Sequence, residues 1–411
     1  MEQRAGHDAH YELKVVIVLS ICFGLVGLDR FVINPLFPLI ARDLGLNYRD
    51  IGLVSAALAL TWGAAAIFMG RLTDRTGAKA VLVSSALTFS ALVGLSGLAV
   101  GLASLLLLRG LTGLAEGTFV PACIVATTRA SKPSRVGLNI GLLHMVSAFA
   151  GLGLAPVLAT QLLKVLPSWH WIFVVAAVPG LFMAYCIKRV LRPDPPPERV
   201  SEEGRRGRAW REVLGDRRIV ANAMAMSCWL SILTTLGALL PSYLTDHLRL
   251  GIDQMGIVLS GQGLGGVVGM ILVPGLGDRF GHRSVSLVAI ALKLLALGLF
   301  SLVSSGIGLL FALLFLVGLT GAGVMATTVG PLTGRAVAAP LATTATGIVV
   351  GCGEIIGGAL APAMAGLLAT RFGISIVPAF ALCAAATGFL ALSLGGREPR
   401  RGRHVSAIPS A

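Results

Sequence analysis

The chain is poor in the residues that enzymes and extracellular domains rely on. Only 13% of its 411 residues are charged, and it has four tyrosines and five tryptophans. It contains no G-x-S-x-G, H-E-x-x-H or Walker loop. Its six cysteines form no C-x-x-C pair and fall mostly within apolar runs. We therefore predict that the protein is not an enzyme and that it has no disulfide framework, no metal site and no cofactor.

Apolar residues make up 55% of the chain, in runs that are repeatedly long enough to cross a hydrocarbon core of about 30 Å. A cleavable signal peptide is not expected, because residues 1–13 are polar and the run that follows is too long. We predict an all-α membrane protein with twelve transmembrane helices, at 14–41, 50–70, 79–99, 102–128, 135–162, 169–190, 218–244, 254–275, 284–304, 306–332, 340–369 and 374–394.

The formal net charge of +14 is distributed unevenly. In a soluble protein this charge would suggest a nucleic-acid partner. Here lysine and arginine concentrate at the two ends and in the even-numbered loops, whereas the odd-numbered loops carry only Arg42, Arg49, Lys164, Arg249 and Arg371. The positive-inside rule then predicts a multi-pass protein of the cell (inner) membrane with both termini cytoplasmic, and nucleic acid is not an expected partner.

The longest polar insertion is rich in proline and arginine and separates the sixth span from the seventh. It reads as a solvated linker, although its basic residues could also touch anionic lipid. Two repeated sequence patterns indicate an internal repeat. GLGLAPVLA in span five resembles GGALAPAMA in span eleven, and an Asp-Arg-x-Gly loop follows both span two and span eight. We predict an N-terminal six-helix half at 1–190, a linker at 191–217, a C-terminal six-helix half at 218–395 and a cytoplasmic tail at 396–411.

The two Asp-Arg loops carry Asp74, Arg75, Asp278 and Arg279. With the span number and the central linker, they resemble the signature of the major facilitator superfamily, whose halves are parallel six-helix repeats. The resemblance covers essentially the whole chain. It implies a transporter that works by rocking its two halves, and it implies that these four residues act in gating. Lys79, at the end of the first loop, could bridge the two halves.

Span four holds Arg109 and Glu116 in an otherwise hydrophobic run. Seven residues are two helical turns, so the two charges lie on nearly one face. Ionisable groups at bilayer depth normally face a bundle interior or a water-filled cavity and mark an ion or substrate route. A structural ion pair is the alternative, because Gly110, Gly113 and Gly117 on the same helix also indicate close packing.

Span one adds Asp29, Arg30 and Asn34, and the combination with span four resembles the anion:cation symporter branch of that superfamily. Members of this branch move sugar acids, dicarboxylates and similar organic anions, often with protons. The resemblance implies that Asp29 and Glu116 titrate with the transported proton, that Arg30 contacts the anion, and that Arg109 responds to the protonation of Glu116. We place Asn34 with the substrate contacts. Arginine suits this role because its planar fork binds carboxylates.

Further candidates for substrate contact lie elsewhere. Glu354 in span eleven could face the cavity as a third carboxylate or could serve helix packing. His144 in span five could line the cavity, although packing is the simpler role. Gln262 could donate a hydrogen bond to substrate. It lies within a G-x-G-x-x-G pattern that lacks a βαβ context, so we interpret these glycines as letting span eight approach its neighbours. Lys293 in span nine is expected to snorkel toward the membrane surface.

We predict a monomeric importer of a small organic anion, such as a carboxylate or a sugar acid, with one or more protons. Its site would be lopsided, because span ten has only threonines where span four has charges. The alternative is a proton-coupled exporter of hydrophobic or cationic compounds. Two intramembrane arginines disfavour a cationic substrate, and span five lacks the Gly-Pro-Gly-Gly run associated with exporters. A membrane sensor or scaffold is a further alternative, which would need an appended signalling domain.

Overall fold

The computed structural model describes residues 8–68, 76–194, 212–334, 336–337 and 341–394, and every regular element in these ranges is a helix. Helices suit the apolar composition, because backbone polar groups in a hydrocarbon core must be satisfied within the protein. The middle of the predicted linker and the predicted tail lie outside the described residues.

The N half comprises six helices: α1 (Ala9–Leu44), α2 (Tyr48–Phe68), α3 (Ala78–Ser96), α4 (Leu102–Ala130), α5 (Val136–Leu162) and α6 (Trp169–Val190). The C half comprises α7 (Arg217–His247), α8 (Ile252–Phe280), α9 (His282–Leu302), α10 (Ile307–Leu332), α11 (Thr344–Phe372) and α12 (Ile374–Leu394).

Among the described residues, eleven of these helices are long and apolar enough to cross a membrane. The twelfth is α2, which has 21 residues and packs along α4 and α11 within the same bundle. The predicted all-α fold with twelve spans is confirmed. The first helix begins earlier than predicted, at Ala9, because the carboxylate of Asp8 accepts a hydrogen bond from the backbone N–H of Tyr11 at 3.0 Å and caps it.

Glycines bring the same pair of helices together in each half. In the N half, a Cβ at Gly113 or Gly117 would collide with backbone carbonyls of α2. In the C half, a Cβ at Gly265 or Gly269 of α8 would collide with backbone carbonyls of α10. Within the G-x-G-x-x-G pattern, Gly263 packs on the backbone of α5. The interpretation of that pattern as a packing surface is confirmed.

The two echoed sequences share a local structure. A π-helical segment, Phe149–Leu154, lies just before Pro156 in α5, and another, Gly353–Leu360, lies just before Pro362 in α11. Proline has no N–H and clashes with the preceding turn, so it disturbs the regular α-helical hydrogen bonds at these places. π-helical turns of this kind are frequent at functional sites.

The halves contact each other at the end of the molecule that carries the odd-numbered loops. The Tyr48 hydroxyl of α2 donates a hydrogen bond to Oδ2 of Asp246, on the last turn of α7, at 2.8 Å. Lys164, just after α5, pairs with Asp253 at the start of α8, with 2.9 Å between Nζ and Oδ2. We call these two links the odd-loop contacts.

Candidate functional site

A cavity with about 370 Å³ of open space lies between the two halves. We call it the central cavity. Its walls come from α1, α2 and α4 of the N half and from α7 and α11 of the C half. Its lining residues are Arg30, Phe31, Ile33, Asn34, Val54, Ser55, Leu58, Ala59, Arg109, Thr234 and Gly358. Three of the residues predicted from the sequence, Arg30, Asn34 and Arg109, therefore meet at one place.

Arg30 forms a salt bridge across the two halves. Its Nη2 donates a hydrogen bond to Oε2 of Glu354 on α11 at 3.0 Å. The guanidinium also lies over the ring of Trp62 on α2, 5.5 Å from the centroid, which is a cation–π distance. The side chains of Arg30 and Glu354 are 17% and 7% exposed, and of the two only Arg30 is a lining residue of the cavity. Contact of Glu354 with substrate stays a prediction, and so does its alternative role in helix packing.

Arg109 is held by one hydrogen bond and keeps two other donor groups. Its Nη1 donates to the main-chain carbonyl of Asp29 at 2.9 Å. Its Nε and Nη2 have no hydrogen-bond partner in the part of the chain that the structure describes. The residue is 3% exposed and lines the central cavity. A fixed guanidinium with unused donors is suited to receive a carboxylate.

The carboxylates of Glu116 and Asp29 lie beside Arg109. Glu116 is 0% exposed, and neither of its oxygens has a hydrogen-bond partner among the described residues. Asp29 is also buried, and its Oδ1 likewise has no hydrogen-bond partner among the described residues. The three groups lie within electrostatic range of one another. An unpaired ionised carboxylate is costly in such surroundings, and binding a proton removes its charge.

Thr234 and Trp62 belong to this site but were not predicted from the sequence. Thr234 of α7 lines the cavity, and its hydroxyl donates to the main-chain carbonyl of Gly357 at 2.7 Å, which ties α7 to α11. Trp62 supports the guanidinium of Arg30. The signals in the sequence were weak: a Thr-Thr pair in an apolar helix and an isolated tryptophan in another.

Two predicted substrate contacts lie elsewhere. Gln262 is buried on α8, where its backbone packs against Gly318 of α10. His144 on α5 is exposed and lies edge-on to the ring of Phe23, with 5.1 Å between centroids. Neither residue lines the central cavity. Contact of these two side chains with substrate stays a prediction.

The prediction that Lys293 snorkels is wrong. Its side chain is 3% exposed and its Nζ lies 4.8 Å from the ring centroid of Trp229 on α7. A Cβ at Gly321 of α10 would come within 2.6 Å of Nζ, so this glycine makes room for the amine. The cation–π contact and the missing side chain of Gly321 together explain why the amine lies inside the C half.

Two of the four predicted gating residues lie in the described part of the chain. Asp74 and Arg75 lie outside the described residues. Asp278, on the last turn of α8, is exposed, with 3.2 Å between its Oδ1 and Nε2 of His282. Arg279 lies over the ring of Phe280 at 5.3 Å. Gating by all four residues stays a prediction.

Lys79 does not bridge the halves as expected. Its backbone N–H donates to Oδ2 of Asp194, just after α6, at 2.8 Å. The other oxygen of Asp194 pairs with Arg129 at the end of α4 at 2.9 Å. Asp194 therefore joins three helices of the N half at the end that carries the even-numbered loops. A helix N-terminus favours a carboxylate, which explains why Lys79 contacts its own half.

Comparisons with known proteins agree with this architecture. The model of the Major Facilitator Superfamily matches residues 19–349 and again 232–410, and the chain belongs to that family. It is therefore a membrane transporter and not an enzyme. Its sequence is 26% identical to the gentisate transporter of Corynebacterium glutamicum over 83% of this chain and 78% of the relative. It is 25% identical to the probable sulfoacetate transporter of Cupriavidus necator over 66% of each chain.

Solved structures support the fold. A bacterial homologue of the human lysosomal transporter Spinster, crystallised in an inward-facing, occupied conformation, superposes with a TM-score of 0.78. The superposition covers 93% of this chain and 97% of the homologue at 16% sequence identity. This likeness shows the fold alone.

Proposed function

We propose that this protein imports a small organic anion together with protons by alternating access, in the cell inner membrane with both termini in the cytoplasm and as a monomer. The observation that carries the proposal is the grouping of two arginines and two carboxylates at a cavity between the halves. Fixed positive charge suits an anionic substrate, and carboxylates without partners suit a proton. Gentisate and sulfoacetate, named for two relatives, are both small organic anions.

The arginines hold the anion in this proposal. Arg109 offers its unused donors, and Arg30 offers its guanidinium to the same cavity. Asn34 adds a neutral amide. The cavity is small, which suits a compact acid.

Glu116 and Asp29 carry the proton in this proposal. Both are buried next to Arg109. When Glu116 is neutral, it does not balance the positive charge of Arg109, and that charge is available to the substrate. When Glu116 loses its proton, it competes with the substrate for Arg109. Proton binding and anion binding therefore favour each other, as coupling requires.

The two halves, residues 1–190 and 218–395, rock about the cavity in this proposal. The odd-loop contacts close the outer end in the present conformation. Opening that end requires Tyr48 to separate from Asp246 and Lys164 from Asp253. Asp74, Arg75, Asp278 and Arg279 would control the cytoplasmic end.

The test is uptake into proteoliposomes, using radiolabelled gentisate, sulfoacetate and tartrate, with and without an inward proton gradient. We expect the wild-type protein to accumulate at least one of these anions and the gradient to stimulate it. The Glu116→Gln variant should lose accumulation but retain exchange of labelled for unlabelled anion. The control is Glu212→Gln, which removes an exposed carboxylate from the end of the predicted linker and should behave as wild type.

Two results would reject the proposal. In the first, no anion moves under any gradient while cationic dyes are expelled, which would establish the exporter alternative. In the second, Glu116→Gln still accumulates the anion against its gradient, which would remove Glu116 from the proton route.

A further inference from the structure

The proposed anion contact Arg30 already has a carboxylate partner. Its Nη2 lies 3.0 Å from Oε2 of Glu354, and one guanidinium carries only one charge to balance. A substrate carboxylate at Arg30 would compete with Glu354 for the same positive charge. The proposed function therefore leaves a question that the geometry itself raises, which is where Glu354 goes when the anion arrives.

Glu354 occupies a position from which it can move. It belongs to the π-helical segment Gly353–Leu360, whose hydrogen bonds are not those of a regular helix. One turn further on is Gly358, which lines the central cavity, and a Cβ there would come within 2.7 Å of Oε2 of Glu354. The absence of a side chain at Gly358 leaves the carboxylate open toward the cavity.

The surroundings of Glu354 leave Arg30 as its charged partner. From α7, the side chains of Met226 and Leu230 pack on the π-helical segment, and both are apolar. From α2, Gly63 approaches the Cβ of Glu354. Glu116 on α4 lies within electrostatic range of Arg30 rather than in contact with Glu354. If Arg30 is taken by another anion, Glu354 is left at membrane depth without a counter-charge.

We infer that Glu354 holds the anion position of Arg30 in the empty transporter, that a substrate carboxylate displaces it, and that the released Glu354 then takes up a proton from water in the cavity. The inference rests on the proposed function and extends it to a third proton-binding carboxylate, contributed by the C half. The charges balance, because one negative charge enters with the anion and one positive charge enters with the proton. Substrate binding would also break the salt bridge that joins the halves beside the cavity.

The test compares wild type with Glu354→Gln in exchange assays without a gradient, using radiolabelled gentisate and tartrate between pH 6 and pH 8. The glutamine has the same shape but cannot compete as an anion. We expect its half-saturating anion concentration at pH 8 to fall about 3- to 10-fold, as loss of one partly exposed competing ion pair would allow. The dependence of this concentration on pH should flatten, and a pH-sensitive dye should report fewer protons taken up per anion during net uptake.

Two further variants control the result. Glu212→Gln should keep the wild-type affinity and pH dependence. Glu354→Asp keeps the negative charge but has a shorter reach, so it should bind the anion more tightly than wild type while retaining the pH dependence. If Glu354→Gln does not yield folded protein by gel filtration, Glu354→Asp decides the matter, because an unchanged affinity in that variant contradicts the inference.

The outcomes separate the two proposals. If wild type exchanges neither anion, the proposed function and this inference both fail. If wild type exchanges an anion and Glu354→Gln leaves its affinity and pH dependence unchanged, only the inference fails and Glu354 is a packing residue. If Glu354→Gln weakens tartrate alone, Glu354 binds a substrate hydroxyl and does not compete for Arg30, which also rejects the inference.

Discussion

The two halves of the molecule share a scaffold but not a chemistry. Each has six helices, a pair of helices drawn together by glycines and a π-helical turn before a proline. At the central cavity, however, the N half provides Arg30 and Arg109, whereas the C half provides Thr234 and Gly358, with Glu354 behind them. Packing recurs because each half has to bring its own helices together. Charge needs to be present on one side only, because a single site serves both halves.

In the proposed function, this difference lets a symmetric scaffold bind an asymmetric ligand. An organic anion has a charged end and a less polar remainder. Positive charge along α1 and α4 suits the charged end, and the threonine and glycine of α7 and α11 leave space for the remainder. The roles of charge and of packing can then be tested separately, by removing charge from the N half and by altering packing in both halves.

The largest effect should come from Arg109 in the N half. Arg109→Gln removes the guanidinium that donates to the Asp29 carbonyl and takes away one of the cations near two buried carboxylates. We expect anion transport, measured as kcat/KM in proteoliposomes, to fall at least about 100-fold, or about 2.8 kcal/mol. Arg109→Lys keeps the charge without the planar fork and should fall between this variant and wild type. Near-normal transport by Arg109→Gln would mean that the charge asymmetry does not serve binding.

Packing should respond alike in the two halves. Gly113→Ala on α4 and Gly265→Ala on α8 each place a methyl group against a neighbouring backbone. We expect each to lower stability by about 1–3 kcal/mol, read from the unfolding midpoint in detergent. The matched controls are Gly141→Ala on α5 and Gly298→Ala on α9, where a Cβ meets no atom within 4 Å. If one half tolerates its tight glycine being replaced, the two scaffolds are less alike than their geometry indicates.

Local sequence features were enough to predict the fold and the N-half cluster. Apolar runs of about 20 residues identify membrane helices, and a spacing of seven places Arg109 and Glu116 on one face. The partner of Arg30 could not be predicted in this way, because Glu354 lies 324 residues further along the chain. Which helices meet depends on how the halves pack, and a single sequence gives no direct measure of that.

Lys293 also shows that a single sequence does not predict which helices meet. A lysine on an apolar helix normally reaches the membrane surface. Here the position of the amine depends on Gly321 of α10 and Trp229 of α7, neither of which is near Lys293 in the sequence. The general rule was sound, but a site made by two other helices overrode it.

Replacing Lys293 should have a small effect, in contrast to Arg109. Lys293→Met removes a buried charge with no ion pair among the described residues and fills similar space. The lost cation–π contact of about 0.5–2 kcal/mol is offset by ending the desolvation of a charge. We expect KM for the anion within about twofold of wild type and stability changed by about 1 kcal/mol or less in either direction. A loss of transport comparable to that of Arg109→Gln would show that the C half contributes a cation to transport.

The smallest effect should come from the aspartates that cap the first helix of each half. Hydrogen bonds lower the pKa of both carboxyls: from the Tyr11 backbone and Arg192 for Asp8, and from the Arg218 side chain and backbone for Asp216. A lowered pKa stabilises the fold above the ordinary carboxyl pKa of about 4, and this contribution disappears as pH falls through the lowered value.

Loss of a helix cap lowers the free energy of unfolding by about 0.5–1 kcal/mol. Because this site is partly exposed, we expect Asp216→Ala to lie toward the lower end of that range at pH 7. The deficit relative to wild type, measured as the unfolding midpoint in detergent, should shrink as the pH is taken below 4. Asp216→Asn retains a capping side chain without the ion pair and should lose less. Asp8→Ala should change stability in the same direction. If Asp8→Ala has no effect while Asp216→Ala does, the capping of the first helix supports only the C half, and the likeness between the halves ends at their glycines and prolines.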